Sequence, residues 1–264
     1  MLRVAAETGD KASQVDLANL VLRGAGEPED SARIAGWFEE AAASGDLVAA
    51  FNLGVCLVKG VGVERDERQA AAWLRHAADG LPEAQYMYGR MLLEGRGVVC
   101  DLKAARTWFT RAADSGLSDA QVALAEMMLN GRGGPSSAAA ALDLFEKAAA
   151  KGHAGAMYAI GALHAGGHGW PTNRQIAQRW FLAAAELGHG HAQMMLGRYL
   201  INGSAGDLNH QEAQLWLERA VAQGIVDAEA DLAALASRKP GSSTGEIQND
   251  AFDANEAANP YRPQ

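Results

Sequence analysis

The chain has 264 residues, a formal net charge of −9, 48% apolar residues and only 6% aromatic residues. This apolar content is sufficient for a folded core, the acidic charge argues against nucleic acid as the main partner, and no apolar run approaches the ~18 residues that a membrane span needs. Two cysteines, Cys56 and Cys100, are too few for a disulfide scaffold, and the first residues lack the pattern of a signal peptide. We therefore expect a cytoplasmic protein.

Three columns of residues recur along the chain at a spacing of about 36 residues. The first column contains glycines: Gly9, Gly45, Gly80, Gly116, Gly152, Gly188 and Gly224. The second column is tryptophan with one exception: Trp37, Trp73, Trp108, Leu144, Trp180 and Trp216. The third column again contains glycines: Gly24, Gly60, Gly95, Gly131, Gly167 and Gly203. Because all three columns stay in register through one shared deletion near Gly80, the chain is built from internal repeats.

Each repeat predicts two helices. The first helix, as in residues 120–129, has apolar residues at helical spacing and ends at the third column, where glycine adopts a left-handed backbone without strain. The second helix begins seven residues before the tryptophan column, at a residue that can cap a helix N-terminus. These predicted caps are Asp30, Asp66, Asp101, Ser137, Asn173 and Asn209. The second helix continues through the tryptophan column, which we predict to fill the core, and ends at the first glycine column.

One pair of such helices cannot bury its apolar face alone, so stacking of neighbouring pairs must supply the core. We predict an all-α, right-handed α/α superhelical solenoid of about six and a half 36-residue two-helix repeats. The repeated pattern is A-x-x-x-L-G-x-x-(L/Y)-x-x-G-x-G-V followed by D-x-x-x-A-x-x-W-(F/L)-x-x-A-A-x-x-G, best developed in residues 49–80 and 84–116. It resembles the Sel-one-like repeat family, an α/α relative of the tetratricopeptide repeat. This resemblance implies a solenoid that binds other proteins and has no catalytic activity.

The two ends of the chain differ from its middle. Met1 falls on the tryptophan column, so the chain begins halfway through a second helix. We expect either that residues 1–8 form a short cap or that the native chain extends upstream. The predicted solenoid covers residues 1–238. Residues 239–264 contain prolines and many polar residues, and we predict that they form a disordered tail.

No arrangement of residues in the sequence predicts catalysis, so we expect no enzyme activity, no cofactor and no small-molecule substrate. His164, His168, His189 and His191 could in principle hold a divalent metal, but no cysteine, aspartate or glutamate in register completes a ligand set, and we predict no metal site. The glycine-rich loops follow no strand and precede no Gly-Lys-Ser/Thr, so they are interpreted as turns rather than phosphate sites. Trp73 and its counterparts are interpreted as core residues rather than as a base-stacking surface.

In tetratricopeptide-type solenoids the first helices line the concave face and bind peptides there. The resemblance implies that the first helices of this chain do the same. Position zero is the alanine at Ala49, Ala84, Ala120, Ala156 and Ala192, and positions +2, +6 and +10 would line the face. The +2 residues are Phe51, Tyr86, Val122, Tyr158 and Met194. The +6 residues are Val55, Arg90, Glu126, Ala162 and Arg198, and the +10 residues are Lys59, Glu94, Asn130, Gly166 and Asn202. Aromatic residues beside arginines are typical of interface hot spots, although the same side chains could simply complete the packing between helices.

We therefore expect an adaptor or scaffold that binds a partner protein or peptide of unknown identity on this face, with no nucleic-acid partner. Two alternatives remain open. One is a regulatory subunit that controls an enzyme or a signalling protein. The other is a fragment of a larger multidomain protein whose catalytic part lies outside this chain.

Overall fold

The computed structural model describes Leu17, residues 28–206 and residues 208–237. Residues 28–206 and 208–237 form twelve α-helices and one 3-10 turn, with no strand among them. The helices are α1 (Pro28–Ala43), α2 (Leu47–Lys59), α3 (Glu67–Ala77), α4 (Pro82–Glu94), α5 (Leu102–Asp114), α6 (Ser118–Leu129), α7 (Ala138–Ala149), α8 (Ala154–His164), α9 (Arg174–Glu186), α10 (Gly190–Asn202), α11 (His210–Ala222) and α12 (Val226–Ser237). The predicted all-α solenoid of two-helix repeats is confirmed. The predicted tail, 239–264, and the predicted start within a repeat at Met1 lie outside the described residues.

The chain divides into two compact units. The first unit contains Met1–Ala120 and Arg132–Gly134, and the second contains Gln121–Gly131 and Pro135–Gln264. In the first unit each helix from α1 to α5 packs against the next one along the chain. In the second unit the same is true from α7 to α12. Packing between chain neighbours is how repeat proteins build a continuous core.

Side-chain caps begin the second helices as the sequence predicts. The Asp66 carboxylate accepts hydrogen bonds from the backbone amides of Arg68 and Gln69, both at 2.9 Å. The same role is played at the other repeats by Asp101, Ser137, Asn173 and Asn209. The prediction is wrong for Asp30, because α1 already begins at Pro28 and Asp30 lies inside it. Proline suits the first turn of a helix, since it has no amide hydrogen to be capped there and its φ is already helical.

The tryptophan column is less buried than predicted, and the core lies one residue further along each second helix. Trp108 and Trp216 are 8% exposed, whereas Trp37, Trp73 and Trp180 are only half-buried. The residues that follow the column have no exposed surface in five repeats: Leu74, Phe109, Phe145, Phe181 and Leu217. Two of the tryptophans contact arginines. The guanidinium of Arg111 lies 4.6 Å and that of Arg75 lies 4.9 Å from the Trp108 ring centroid, and that of Arg219 lies 4.6 Å from the Trp216 ring centroid.

The loops between first and second helices are packed against the preceding second helix. Gly97 has a φ of +68°, and a Cβ at this position would lie 2.0 Å from the carbonyl oxygen of Glu67 in the first turn of α3. Gly62 and Gly133 approach earlier backbone carbonyls in the same way. Glycine is therefore required here for close backbone contact as well as for the left-handed turn.

The loop after α8 departs from this arrangement. Gly166, with a φ of 107°, precedes the 3-10 turn Gly167–Gly169, in which His168 and Gly169 also have positive φ, 52° and 70°. The predicted helix-ending glycine, Gly167, thus lies inside a turn. A Cβ added to Gly169 would meet no atom within 4 Å, so this loop is not held against backbone as the others are.

Candidate partner-binding face

The alanines at position zero fix the register of the first helices because all of them are buried. At most 5% of their surface is exposed in Ala49, Ala84, Ala120, Ala156, Ala192 and Ala228. The +2 residues lie at the margin of the core: Phe51, Tyr86, Val122 and Tyr158 are half-buried, and Met194 is buried. The first four therefore combine a fixed position with an accessible surface.

In the first unit, the candidate face is built from α2 and α4. Phe51 and Val55 on α2 and Tyr86 and Arg90 on α4 are all half-buried. The Tyr86 ring packs in a tilted orientation against Phe109, with 5.8 Å between the ring centroids. The Arg90 guanidinium lies 6.0 Å from the centroid of the same tyrosine, so it is attracted to the face of the ring.

Arg90 also begins a chain of ion pairs. Its Nη2 lies 3.1 Å from Oε1 of Glu94, the +10 residue of α4, and Oε2 of Glu94 lies 3.4 Å from Nη1 of Arg96. Arg96 donates from Nη2 to Glu67 at 2.8 Å, and Glu67 is also bound by Arg65. Hydrogen bonds from Arg65 and Arg96 lower the pKa of Glu67. The chain of charges links the end of α4 to the start of α3 and orients Arg90 beside Tyr86.

Apart from Gly166, the +10 residues are polar, and they lie at or just after the ends of the first helices. Lys59 is the last residue of α2 and is exposed. In the second unit the Asn130 side-chain amide donates to the backbone carbonyl of Glu126 at 2.9 Å. These residues form a polar border rather than an apolar part of the face.

In the second unit, Tyr158 of α8 is the aromatic +2 residue, and it is half-buried. Its ring packs against Phe181, with 5.8 Å between centroids, and stacks on His189 at 4.8 Å and 20° between planes. Burial raises the pKa of Tyr158 to about 12, against the opposing effect of Arg198. Val122 and Glu126, at +2 and +6 of α6, are half-buried.

Three predicted face residues of the second unit offer little to a partner. Met194 is 5% exposed and Ala162 is 8% exposed, and Met194 belongs to the core around α9 to α12. The expectation that Met194 lines an open face therefore does not fit its burial. Arg198 donates from Nε to Oδ2 of Asp231 at 2.6 Å, so its charge is already paired with α12. The sequence showed no sign of this pair, since the two residues lie in different repeats.

His189, one of the histidines considered as metal ligands, caps a helix instead, and His153 plays the same role. Nδ1 of His153 accepts a hydrogen bond from the backbone amide of Ala156, and Nδ1 of His189 accepts one from that of Ala192. Burial, together with the neighbouring His191 and His153, lowers the pKa of His189 to about 4, so the ring is neutral near pH 7. This capping role was missed from the sequence, although a residue just before a helix is the place to look for it.

His164 and His168 lie near the exceptional loop after α8. Burial lowers the pKa of both side chains. Nδ1 of His164 and Nε2 of His168 are buried and accept or donate no hydrogen bond within the described part of the chain. Among the described residues, no three histidine, cysteine, aspartate or glutamate side chains are grouped closely enough to hold a metal ion.

The two cysteines also differ in environment. Cys56 is buried in α2, and burial raises the pKa of its thiol to about 11, which makes it unreactive. Cys100 is exposed, and its Sγ lies 3.5 Å from the carbonyl oxygen of Leu93. It borders an open pocket that is lined largely by apolar residues, among them Val99 and Leu102. The lining also contains Asp101 and Lys103, and the Asp101 carboxylate is engaged in capping α5, where it accepts hydrogen bonds from the backbone amides of Lys103 and Ala104.

Comparisons with known proteins agree with this architecture. A search among curated proteins gave no match. A Sel1 repeat protein from Oxalobacter formigenes is 25% identical in sequence, with 93% of this chain and 98% of that chain covered and a TM-score of 0.78. A putative Sel1 repeat protein from Klebsiella pneumoniae subsp. pneumoniae is 22% identical, with 76% of this chain and 99% of that chain covered and a TM-score of 0.51, and it supports the fold alone.

Within the described residues, no helix has the length and apolar character that crossing a membrane requires. The family model for the Sel1 repeat matches six successive segments: 11–46, 47–80, 82–117, 118–153, 154–189 and 190–225. These segments follow one another over most of the sequence, and each of the five from 47–80 to 190–225 contains one pair of helices. The chain therefore belongs to the Sel1 repeat family.

Proposed function

We propose that this protein is a non-catalytic scaffold that binds a partner protein or peptide on the face of its first helices. Sel1 repeat proteins are generally protein-interaction scaffolds, and their solenoid fold is typically non-catalytic. The observation that carries the proposal is the pair of half-buried aromatic residues, Phe51 and Tyr86, at the same position of two successive repeats in the first unit. Partly exposed aromatic anchors dominate the binding energy of many interfaces.

The surroundings of Tyr86 support this role because they hold the ring in place before a partner arrives. Phe109 supports one side of the ring, and Arg90 lies over it. A side chain that is already ordered loses little conformational freedom on binding, which favours affinity. Val55 and Arg90, one turn beyond the aromatic residues, add an apolar and a cationic contact.

The proposed face in the second unit is smaller. Val122, Glu126 and Tyr158 are its half-buried members, whereas Met194 is buried and Arg198 is paired with Asp231. We therefore assign the main binding energy to the first unit. We also propose a cytoplasmic location, supported by the two free cysteines, which suit a reducing compartment.

The test begins with a pull-down from the native host, in which mass spectrometry identifies the partner. The affinity of that partner is then measured for the wild type and for the Phe51→Ala/Tyr86→Ala variant. We expect a loss of ~2 kcal/mol or more if both side chains are hot spots. The matched control is Leu215→Ala, which removes a side chain that is 56% exposed but lies on a second helix.

Because Tyr86 also contacts Phe109, the double variant needs its own stability measurement. A modest decrease in melting temperature with unchanged helical content is expected. Unchanged affinity in a folded double variant would contradict the proposal and would assign binding to another surface. A collapse of the fold would show that these side chains act mainly in the core.

A further inference from the structure

The last described helix, α12, leaves uncovered a position that is covered in the five earlier first helices that the structure describes. At position +5, five preceding first helices carry a buried glycine or alanine: Gly54, Gly89, Ala125, Gly161 and Gly197. The same position in α12 is Ala233, which is exposed. Because the residue at +5 is a glycine or an alanine in all of these helices, the difference in exposure depends on whether another helix packs against it.

The earlier repeats show what kind of group covers this position. A Cβ added to Gly89 would lie 2.8 Å from the Phe109 ring, and one added to Gly161 would lie 2.7 Å from the Phe181 ring. In the last such pair, a Cβ on Gly197 would lie 2.8 Å from Cγ of Leu217. The occupant is therefore always a helix that inserts a large apolar side chain against the small residue.

Other residues of α12 are also less covered than their counterparts. Position +7 is at most 8% exposed in the earlier first helices, in Cys56, Met91, Met127, Leu163 and Tyr199. Its equivalent, Leu235, is only half-buried, and Val226 at the start of α12 is 74% exposed. Helix α12 thus exposes Val226 and Ala233, whereas Leu235, although only half-buried, packs against the existing core cluster.

The charge of α12 restricts the occupant further. The helix contains no basic residue, and Asp227 and Glu229 are exposed. Glu229 stands at +1, where the preceding helix has the buried Gln193, whose side-chain amide donates to the Ala185 carbonyl oxygen at 3.1 Å. A helix with lysine or arginine would complement these carboxylates. Residues 239–264 of this chain carry more acidic than basic side chains and do not complement them.

We propose that α12 is the docking surface for a basic amphipathic helix of another protein. This helix places a phenylalanine or leucine against Ala233 in the way that Phe145 packs in one cluster with Ala125, and its basic residues face Glu229, one turn before Ala233. The surface is separate from the +2 face of α2 and α4, so the two can bind different segments.

The probe for this proposal is a capped synthetic peptide with the sequence of residues 173–188, labelled with a fluorophore. It has the apolar residue Phe181 followed by Ala184 and Ala185, and it carries two arginines against one glutamate. Binding to the full chain is followed by fluorescence anisotropy at low salt. We expect saturable binding that weakens by about tenfold or more when the peptide carries Phe181→Ala.

The protein variants locate the binding site. Ala233→Glu should weaken binding of the peptide by about tenfold or more, whereas Ala72→Glu, at an exposed alanine on the second helix α3, should leave it unchanged. Glu229→Lys should weaken it at low salt and less so at high salt. Circular dichroism of each variant confirms that the fold is retained.

Three results would overturn the proposal. Binding that is unaffected by Ala233→Glu would place the peptide elsewhere, for example in exchange with α9 itself. Self-association of the protein that Ala233→Glu abolishes would identify a second copy of the chain as the occupant. Amide protection in residues 239–258 that is lost in Ala233→Glu would mean that the chain covers α12 itself.

Discussion

Replacing Gly97 by alanine tests how the loops of the solenoid are held. The φ of Gly97 is +68°, and the added Cβ would lie 2.0 Å from the Glu67 carbonyl oxygen. Ordinary contacts between such atoms are above ~3 Å, so the loop must move away from α3 by about 1 Å or more. Arg96, the preceding residue, bonds to Glu67 at 2.8 Å, and the movement would strain this ion pair too.

The size of the effect follows from a comparison with Gly45, which has a φ of +97° but open space around its missing Cβ. Alanine in a left-handed conformation costs roughly 1–2 kcal/mol, and Gly45→Ala should show this cost alone. Gly97→Ala must also displace packed backbone, and we expect it to lower the free energy of unfolding by ~4 kcal/mol in total. A difference of ~2 kcal/mol corresponds to about 4–8 °C in melting temperature for a chain of this size.

The assay is thermal unfolding at pH 7, followed by far-UV circular dichroism, for the wild type and the two variants. If the units of the chain unfold separately, the transition that Gly97→Ala lowers is compared with the one that Gly45→Ala lowers. Equal losses in the two variants would refute the reasoning, because they would show that left-handed geometry, rather than contact with α3, accounts for the glycine.

Phe145→Ala should lower the free energy of unfolding by ~3–5 kcal/mol, and Leu144→Ala should lower it clearly less. The reason is that Phe145 has no exposed surface, whereas Leu144, on the tryptophan column, is half-buried. Denaturant unfolding that gives the reverse order would contradict this. The lowered pKa of His189 means that the folded state binds a proton less readily than the unfolded chain, so its contribution to stability is complete above about pH 6.5 and is lost as the pH falls toward 4. The His189→Asn variant keeps a capping side chain, and its melting temperature should fall less between pH 7 and pH 5 than that of the wild type; an equal fall would exclude His189 as the cause. Purified protein should carry no stoichiometric zinc or nickel, and a chelator should not change its melting temperature; bound metal that disappears in His164→Ala or His168→Ala would show a site there.

The sequence by itself determines the repeat, the two helices of each repeat and most helix boundaries. These features depend on near neighbours along the chain: a capping side chain such as Asp66 bonds to amides two and three residues away, and a glycine such as Gly95 ends a helix through its own backbone. The periodicity then shows that one helix pair cannot be stable alone. The one predicted cap that failed, Asp30, did so because Pro28 starts its helix earlier.

Only the tertiary structure decides which side of each helix is covered by other helices and how much of that side stays exposed. The small residue at +5 lets the following helix approach until Phe109 or Leu217 fills the core, and the preceding Trp108 and Trp216 contact arginines. Met194 is buried while Tyr86 stays half-buried, although both occupy +2. Arg198 finds its acidic partner in Asp231 of another repeat. Such outcomes depend on distances between helices from different repeats, and the repeat pattern does not contain those distances.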